Sequence, residues 1–158
     1  MSNMCSLPSV TEALSSHPVD VGQRTEAIVL AALVKRGYKV LTPFGTNQRY
    51  DLAIDLGDRF LRAQCKTGRL RAGTIIFAVR SVRSNTRRTY LRSYQNEIDL
   101  FLVCRPETDG IHVIPIEDAT SSVGALRVAP TRNGQAKRIR WAKDYERRSS
   151  SAGRATPL

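Results

Sequence analysis

Glu26, Asp51, Gln64 and Lys66 are the residues of this chain whose types and spacing can do chemistry together. They read in order as a carboxylate in a helical segment, a carboxylate opening one strand, and Gln-x-Lys closing the next. Two acidic groups and a lysine converging from neighbouring elements can hold a divalent cation and direct water at a phosphodiester. In such a site Asp51 is the main metal ligand, because hard cations such as Mg²⁺ take oxygen donors and keep several waters. Glu26 binds the metal directly or through water. Gln64 offers a neutral carbonyl oxygen, and the backbone carbonyl of Cys65 adds another. Lys66 orients the attacking water, favours its deprotonated form, or neutralises charge on the phosphate. Taken singly, each residue has a plainer reading: Asp51 in a turn, Glu26 an ordinary helix carboxylate paired with a lysine, Lys66 a surface charge. Their placement on adjacent faces favours the site. Asp55 shares the face of Asp51 and is the second-choice ligand.

The elements that must position them follow from periodicity. Residues 21–36 form a helix, with Asp20 as N-cap and Gly37 as stop. Residues 38–44 read as a strand ended by Pro43, with a turn at 45–48. Two strands, 50–56 and 59–66, are joined by a short turn at 57–58. In the second, Leu61, Ala63 and Cys65 share the core face, while Arg62, Gln64 and Lys66 share the other. In the first, Leu52, Ile54 and Leu56 face the core and Asp51, Ala53 and Asp55 face away. Pairing as a hairpin then brings Asp51 close to Lys66. On the helix, Glu26 shares a stripe with Leu30 and Leu33, where a carboxylate is costly unless paired or bound to a cation.

Further along, 68–73 reads as a basic loop, 74–82 as a strand, 83–89 as a polar link and 90–97 as a short helix. An almost wholly apolar strand at 98–106 is of the kind buried on both faces. It pairs with 110–116 across a turn at 107–110, followed by a helical turn at 116–119 and a last strand at 126–128. This order predicts one α/β domain over 20–146, a central mixed β-sheet flanked by helices. Residues 1–19 read as a flexible leader with a short helix at 10–15, and 147–158 as a disordered tail.

The chain has 158 residues, 41% hydrophobic and 25% charged, enough for one real core. Its formal net charge of +11 points to nucleic acid first and an anionic membrane second. No apolar run approaches the roughly 18–20 residues needed to span a bilayer, and residues 1–21 lack the apolar stretch of a signal peptide. Cys5, Cys65 and Cys104 are an odd number without CxxC spacing, which favours reduced thiols in a cytoplasm. Cys65 and Cys104 lie in apolar patterns as core residues. From Arg59 through Arg92 there is no acidic residue. Arg62, Arg69, Arg71, Arg80, Arg83, Arg87, Arg88 and Arg92 in that stretch are the candidate DNA-binding set, binding phosphates with strong salt dependence. A second basic cluster, Arg132, Lys137, Arg138, Arg140 and Lys143, contains Trp141, read as a packing anchor. Tyr90 and Tyr94 read as packing residues whose hydroxyls can still reach phosphate.

The segments GQRTEAIVLAALVKRGYKVLTPFGTNQRYDLAID and RAQCKTGR resemble the PD-(D/E)xK nuclease superfamily, and more narrowly its group I intron-associated homing endonucleases. YQNEIDLFLVC, GIHVIPIEDA and RVAPTRNGQAKRIRWAKDYE extend the likeness over most of residues 21–146. The resemblance implies a restriction endonuclease-like core and a Mg²⁺-dependent DNA endonuclease, with Mn²⁺ as a substitute metal. Glu26, Asp51, Gln64 and Lys66 stand at the family's active-site positions. It also implies double-stranded DNA as partner and a homo-oligomer, dimer or tetramer. Tyr50 stands where proline is usual, and Gln64 where Asp or Glu is usual. The glutamine is characteristic of the intron-associated branch and leaves one fewer negative charge for the metal. A junction resolvase, a restriction-type nuclease or a non-catalytic DNA-binding protein are the other readings compatible with this fold.

Overall fold

Helix α1 (Pro18–Lys35) opens with proline in its first turn, where the missing N–H costs nothing, and the side chain of His17 caps it. It therefore starts earlier than the expected Asp20 cap, and Asp20 lies instead in the first turn, where the helix dipole favours a negative charge. Thr25, Val29 and Leu33 form its buried stripe. Gly37, at φ 84°, ends it in the left-handed conformation. In the computed structural model, residues 17–45, 47–84, 88–108, 110–119, 123–130 and 139–146 are described. The expected helix at 10–15, most of the leader and the tail at 147–158 lie outside them, as do Arg87, Arg132, Lys137 and Arg138.

The main sheet contains β1 (Lys39–Leu41), β2 (Leu52–Asp55), β3 (Phe60–Thr67), β8 (Leu100–Arg105) and β9 (Gly110–Pro115), side by side in that order. Only β3 and β8 pair in parallel; the other neighbours are antiparallel, so the sheet is mixed. A second sheet has the order β10 (Val123–Arg127), β5 (Thr74–Ala78), β4 (Arg69–Arg71). A separate two-stranded ribbon is made of β6 (Arg80–Ser84) and β7 (Thr89–Ser93). A 3-10 turn (Ile116–Asp118) follows β9, and a short helix, α2 (Ala142–Tyr145), lies near the end of the described chain.

The main sheet separates two cores. On one side Val29 and Leu33 of α1 pack on Leu52, Ile54, Ala63, Cys65, Leu100, Leu102 and Cys104. On the other, Phe101 and Val103 of β8 meet Ile75 and Phe77 of β5, Leu126 of β10, Tyr94 and Ala142. The expected burial of 98–106 on both faces follows from these alternating contacts. Among the described residues, no helix is long and apolar enough to cross a membrane.

Several expected boundaries are corrected. The loop at 68–73 contains β4, which pairs with β5 across a turn where Ala72 (φ 45°) and Gly73 (φ 73°) are left-handed. The single strand at 74–82 breaks at Val79, whose side chain turns into the second core. The helix at 90–97 is instead β7 followed by a turn, because pairing with β6 satisfies its backbone from Thr89 to Ser93. The last strand runs over Val123–Arg127 and belongs to the second sheet rather than the central one.

Gly68 lets the two sheets meet. A Cβ there would lie 2.7 Å from Ile75 Cγ2 and 2.9 Å from Val103 Cγ1, closer than packed carbons tolerate. Gly68→Ala should lower stability by roughly 1–3 kcal/mol through overpacking. Urea unfolding would show this as a lower midpoint with little change in slope; an unchanged midpoint would rule out a tight sheet–sheet contact.

Candidate active site

The β2–β3 hairpin sets the site. Its register pairs Leu52 with Ala63, and Asp51 continues the ladder by donating its N–H to the Ala63 carbonyl at 2.9 Å. Asp51 Oδ2 then accepts two bonds from the next turn of β3, from Gln64 Nε2 at 2.6 Å and from the Cys65 amide at 2.7 Å. In an extended strand the amide and carbonyl of one residue point to the same edge, so the Cys65 carbonyl opens on the Asp51 side. The Cys65 side chain goes the other way, into the core beneath α1. The expected faces hold: Ala63 and Cys65 are buried there, and Gln64 and Lys66 alternate with them.

Lys66 is held by Tyr94, which pattern reading treated as a packing residue whose hydroxyl could reach phosphate rather than as a partner of the lysine. Its Nζ donates to Tyr94 Oη at 3.1 Å and lies 4.8 Å from the ring centre. Tyr94 is 5% exposed and meets Phe101 edge-on at 5.6 Å. Arg49 lies 4.3 Å from the same ring centre and donates to Glu97 at 2.5 Å, Ser81 Oγ at 2.9 Å and the Ser93 carbonyl at 2.7 Å. Arg92 also pairs with Glu97. Arg49, Tyr94 and Glu97 thus form a bracket behind Lys66. The available signal was Glu97, the first acid after the long acid-free stretch.

Glu26 faces Asp51 from α1. The buried stripe of the helix is centred on Thr25, Val29 and Leu33, so Glu26 stands beside it rather than on it. With Gln23, Leu30, Pro43, Tyr50 and Asp51 it lines a cavity of about 490 Å³. Partial burial raises the Glu26 pKa, and the negative charge of Asp51 raises it further, against the pull of Lys66. Burial also raises that of Asp51, opposed by the Cys65 amide, Lys66 and Gln64. Among the described residues no three His, Cys, Asp or Glu side chains converge on one point. The available donors for a cation are therefore two carboxylates, the Gln64 amide oxygen and the Cys65 carbonyl. Asp55 is committed elsewhere, accepting from the Gly57 amide at 2.7 Å to close the hairpin turn.

The arginines differ in their surroundings. Arg62 bonds Asp99 through its backbone N–H at 2.7 Å and its guanidinium at 3.3 Å. Arg92 is held by Glu97. Arg69 and Arg71, on β4, join Lys66 in lining a second cavity of about 450 Å³ beside the start of α1. Arg80 and Arg88 are exposed, and Arg83 lies within β6. In the second cluster, the backbone of Trp141 bridges to Arg127 and its ring lies 5.9 Å from the Lys143 ammonium, while Ala142 and Tyr145 beside it are the residues that join the second core.

The family described as PD-(D/E)XK endonuclease matches residues 16–148 of this chain. Among solved structures, the chain is similar to a bacterial homing endonuclease, I-Ssp6803I, with a TM-score of 0.67 and 23% identity. That alignment covers 84% of this chain and 89% of the other, and at this identity it speaks for the fold. No curated protein matches the chain.

In the metal-free protein Glu26 and Asp51 hold protons more tightly folded than unfolded. Their contribution to stability is fully present below the ordinary carboxylate range, near pH 4, and is lost as pH rises through their raised folded values. Asp51→Asn should therefore melt close to wild type at pH 4 and above it at pH 7.5, the gap widening as pH rises. A constant offset across that range would contradict the burial of a charged Asp51.

Proposed function

The chain belongs to the PD-(D/E)XK endonuclease family, and from that premise we propose that Asp51, Glu26, Gln64 and Lys66 hydrolyse phosphodiester bonds of double-stranded DNA with a divalent cation, Mg²⁺ or in its place Mn²⁺. The observation that carries this reading is the Asp51 carboxylate, fixed by Gln64 and the Cys65 amide, beside a second carboxylate and the Lys66 ammonium. The donor set fits a hard cation. Burial raises the proton affinity of both carboxylates, and the charge of Asp51 raises that of Glu26 further; a bound dication offsets both costs, and the remaining donors are neutral oxygens.

Asp51 and Glu26 would hold the ion, with the Gln64 and Cys65 carbonyl oxygens completing the protein's share. When bound, a divalent cation supplies Lewis acidity toward the phosphate and a water of lowered pKa. Lys66 is the remaining positive group. Its ammonium, oriented by Tyr94 Oη, donates to a non-bridging phosphate oxygen as negative charge grows there, or to the attacking water. Water oxygen bonds to phosphorus and its proton passes to solvent, the P–O ester bond breaks, and the departing oxygen takes a proton from solvent.

Arg69, Arg71, Arg80 and Arg88 would hold the phosphate backbone, with Arg83 and Arg87 in the same basic stretch. Arg62 and Arg92 contribute through positions that Asp99 and Glu97 fix. We read the protein as homing-endonuclease-like, acting as a dimer or tetramer on the two strands. The buried thiols of Cys65 and Cys104, neither in a disulfide, suit a reducing cytoplasm.

Supercoiled and mixed genomic DNA, incubated with Mg²⁺, Mn²⁺ or EDTA, tests the reading. Wild type should nick or linearise DNA with metal and not with EDTA. Lys66→Ala should cut roughly 10²–10³-fold more slowly, the scale of losing one charge-stabilising donor. Asp51→Asn should lose cutting while retaining DNA binding. Salt-sensitive binding without cutting in either metal, over a sequence-diverse pool, would favour a binding protein on this fold. Tyr94→Phe keeps the ring stack and removes only the hydroxyl. We expect about tenfold slower cutting, about 1.4 kcal/mol in the barrier, with the melting temperature nearly unchanged. An equal loss of rate and stability would make Tyr94 a packing residue alone.

A further inference from the structure

The β6–β7 ribbon presents an outward face that no part of the described chain explains. Strict pairing puts Val82 opposite Leu91 and Arg80 opposite Ser93. Val82 and Leu91 are therefore cross-strand neighbours on one face, and they are 63% and 59% exposed. The other face is anchored at its root, where Ser81 accepts from Arg49 and Arg92 pairs with Glu97. A two-stranded ribbon is marginal by itself, so these bonds to the body of the domain hold it in place.

We propose that this ribbon lies in the major groove of duplex DNA, with Val82 and Leu91 against thymine C5-methyl groups and Arg80 beside them. The inference rests on the reading of the chain as a DNA nuclease and adds which element reads sequence. Charge decides the occupant. The ribbon belongs to the acid-free stretch of the chain and carries exposed Arg80 and Arg88 at its root and tip. Two copies of such a ribbon face to face would repel, whereas a polyanion is attracted. Shape agrees: the major groove, about 12 Å wide, admits a two-stranded ribbon. Strands of five residues extend about 15 Å, or roughly four base-pair steps. The apolar pair then has a specific counterpart, because the thymine methyl is the apolar group exposed in that groove.

The root of the ribbon is also the bracket behind Lys66. Arg49 touches Ser81, Ser93, Glu97 and the ring of Tyr94, whose hydroxyl holds the lysine. The reading face and the cutting site are therefore joined by one set of bonds, which sets the bases read at a fixed offset from the phosphate cut.

The test is selection of preferred duplexes from a randomised library by the full chain, for wild type and for Val82→Ser/Leu91→Ser. Both positions are exposed, so the double variant should melt with wild type. Wild type should enrich thymine at one or two fixed positions. The variant should lose that preference and bind the selected site roughly tenfold more weakly, while its affinity for random-sequence duplex changes by less than about twofold. Replacing those thymines by uracil, which removes only the methyl, should weaken wild type and leave the variant unaffected. Unchanged preference in the variant, indifference of wild type to uracil, or a changed sedimentation coefficient revealing a contact between copies would each overturn this inference alone. A wild type that binds no duplex at all would overturn both it and the functional reading.

Discussion

The parallel pairing of β3 with β8 is the contact on which the rest of the arrangement depends. From Ala63 to Thr67, β3 is held in register against Leu100 to Cys104. A central strand with neighbours on both sides has no freedom to slip, since a one-residue shift would turn Gln64 and Lys66 into the core and Ala63 and Cys65 out of it. Because β2 ends at the Leu52–Ala63 pair, the Cys65 amide beyond it has no strand partner on that side. The Asp51 carboxylate takes that place. The site thus forms where β2 stops and β3 goes on.

Acidic side chains are used sparingly in this basic chain, and mostly to immobilise arginines or turns. Asp99 fixes Arg62, Glu97 fixes Arg49 and Arg92, and Asp55 closes the β2–β3 turn. Desolvation opposes ionisation of Glu97, but its bonds to Arg49 and Arg92 prevail and hold its pKa below the usual carboxylate range. Glu26 and Asp51 are shifted the opposite way, upward. The contrast separates a carboxylate bonded to two guanidinium groups from carboxylates for which desolvation outweighs the nearby hydrogen bonds and the Lys66 charge.

Sequence pattern carried the hairpin that bears the site because alternation over 50–56 and 59–66 is long and clean, so faces, register and the approach of Asp51 to Lys66 could all be read. Short elements were harder. Three residues of β4 show too little period to separate a strand from a basic loop. Tyr90 to Glu97 mixes apolar and polar residues at spacings that suit a helix, and only pairing with β6 makes its first part a strand. Glu26 reads as sharing an apolar stripe, although it stands one position off the buried one, because α1 is apolar over much of its circumference. The bracket of Arg49, Tyr94 and Glu97 could not be assembled for another reason: Glu97 stands out as the first acid after a long acid-free stretch, but its partner Arg49 is 48 positions away. No local pattern encodes a contact of that range.

Cys65 occupies a divided position. Its backbone amide and carbonyl belong to the candidate site, while its sulfur lies across the strand in the core under α1. Burial, reinforced by the negative charges of Asp51 and Glu26, drives its pKa far above the ordinary thiol range. The nucleophilic form of cysteine is the thiolate, and here neither thiolate nor an open path to the sulfur is on offer. Burial in the core keeps the sulfur on the far face of the strand, so the Cys65 peptide group lines the candidate site without presenting its thiol to it.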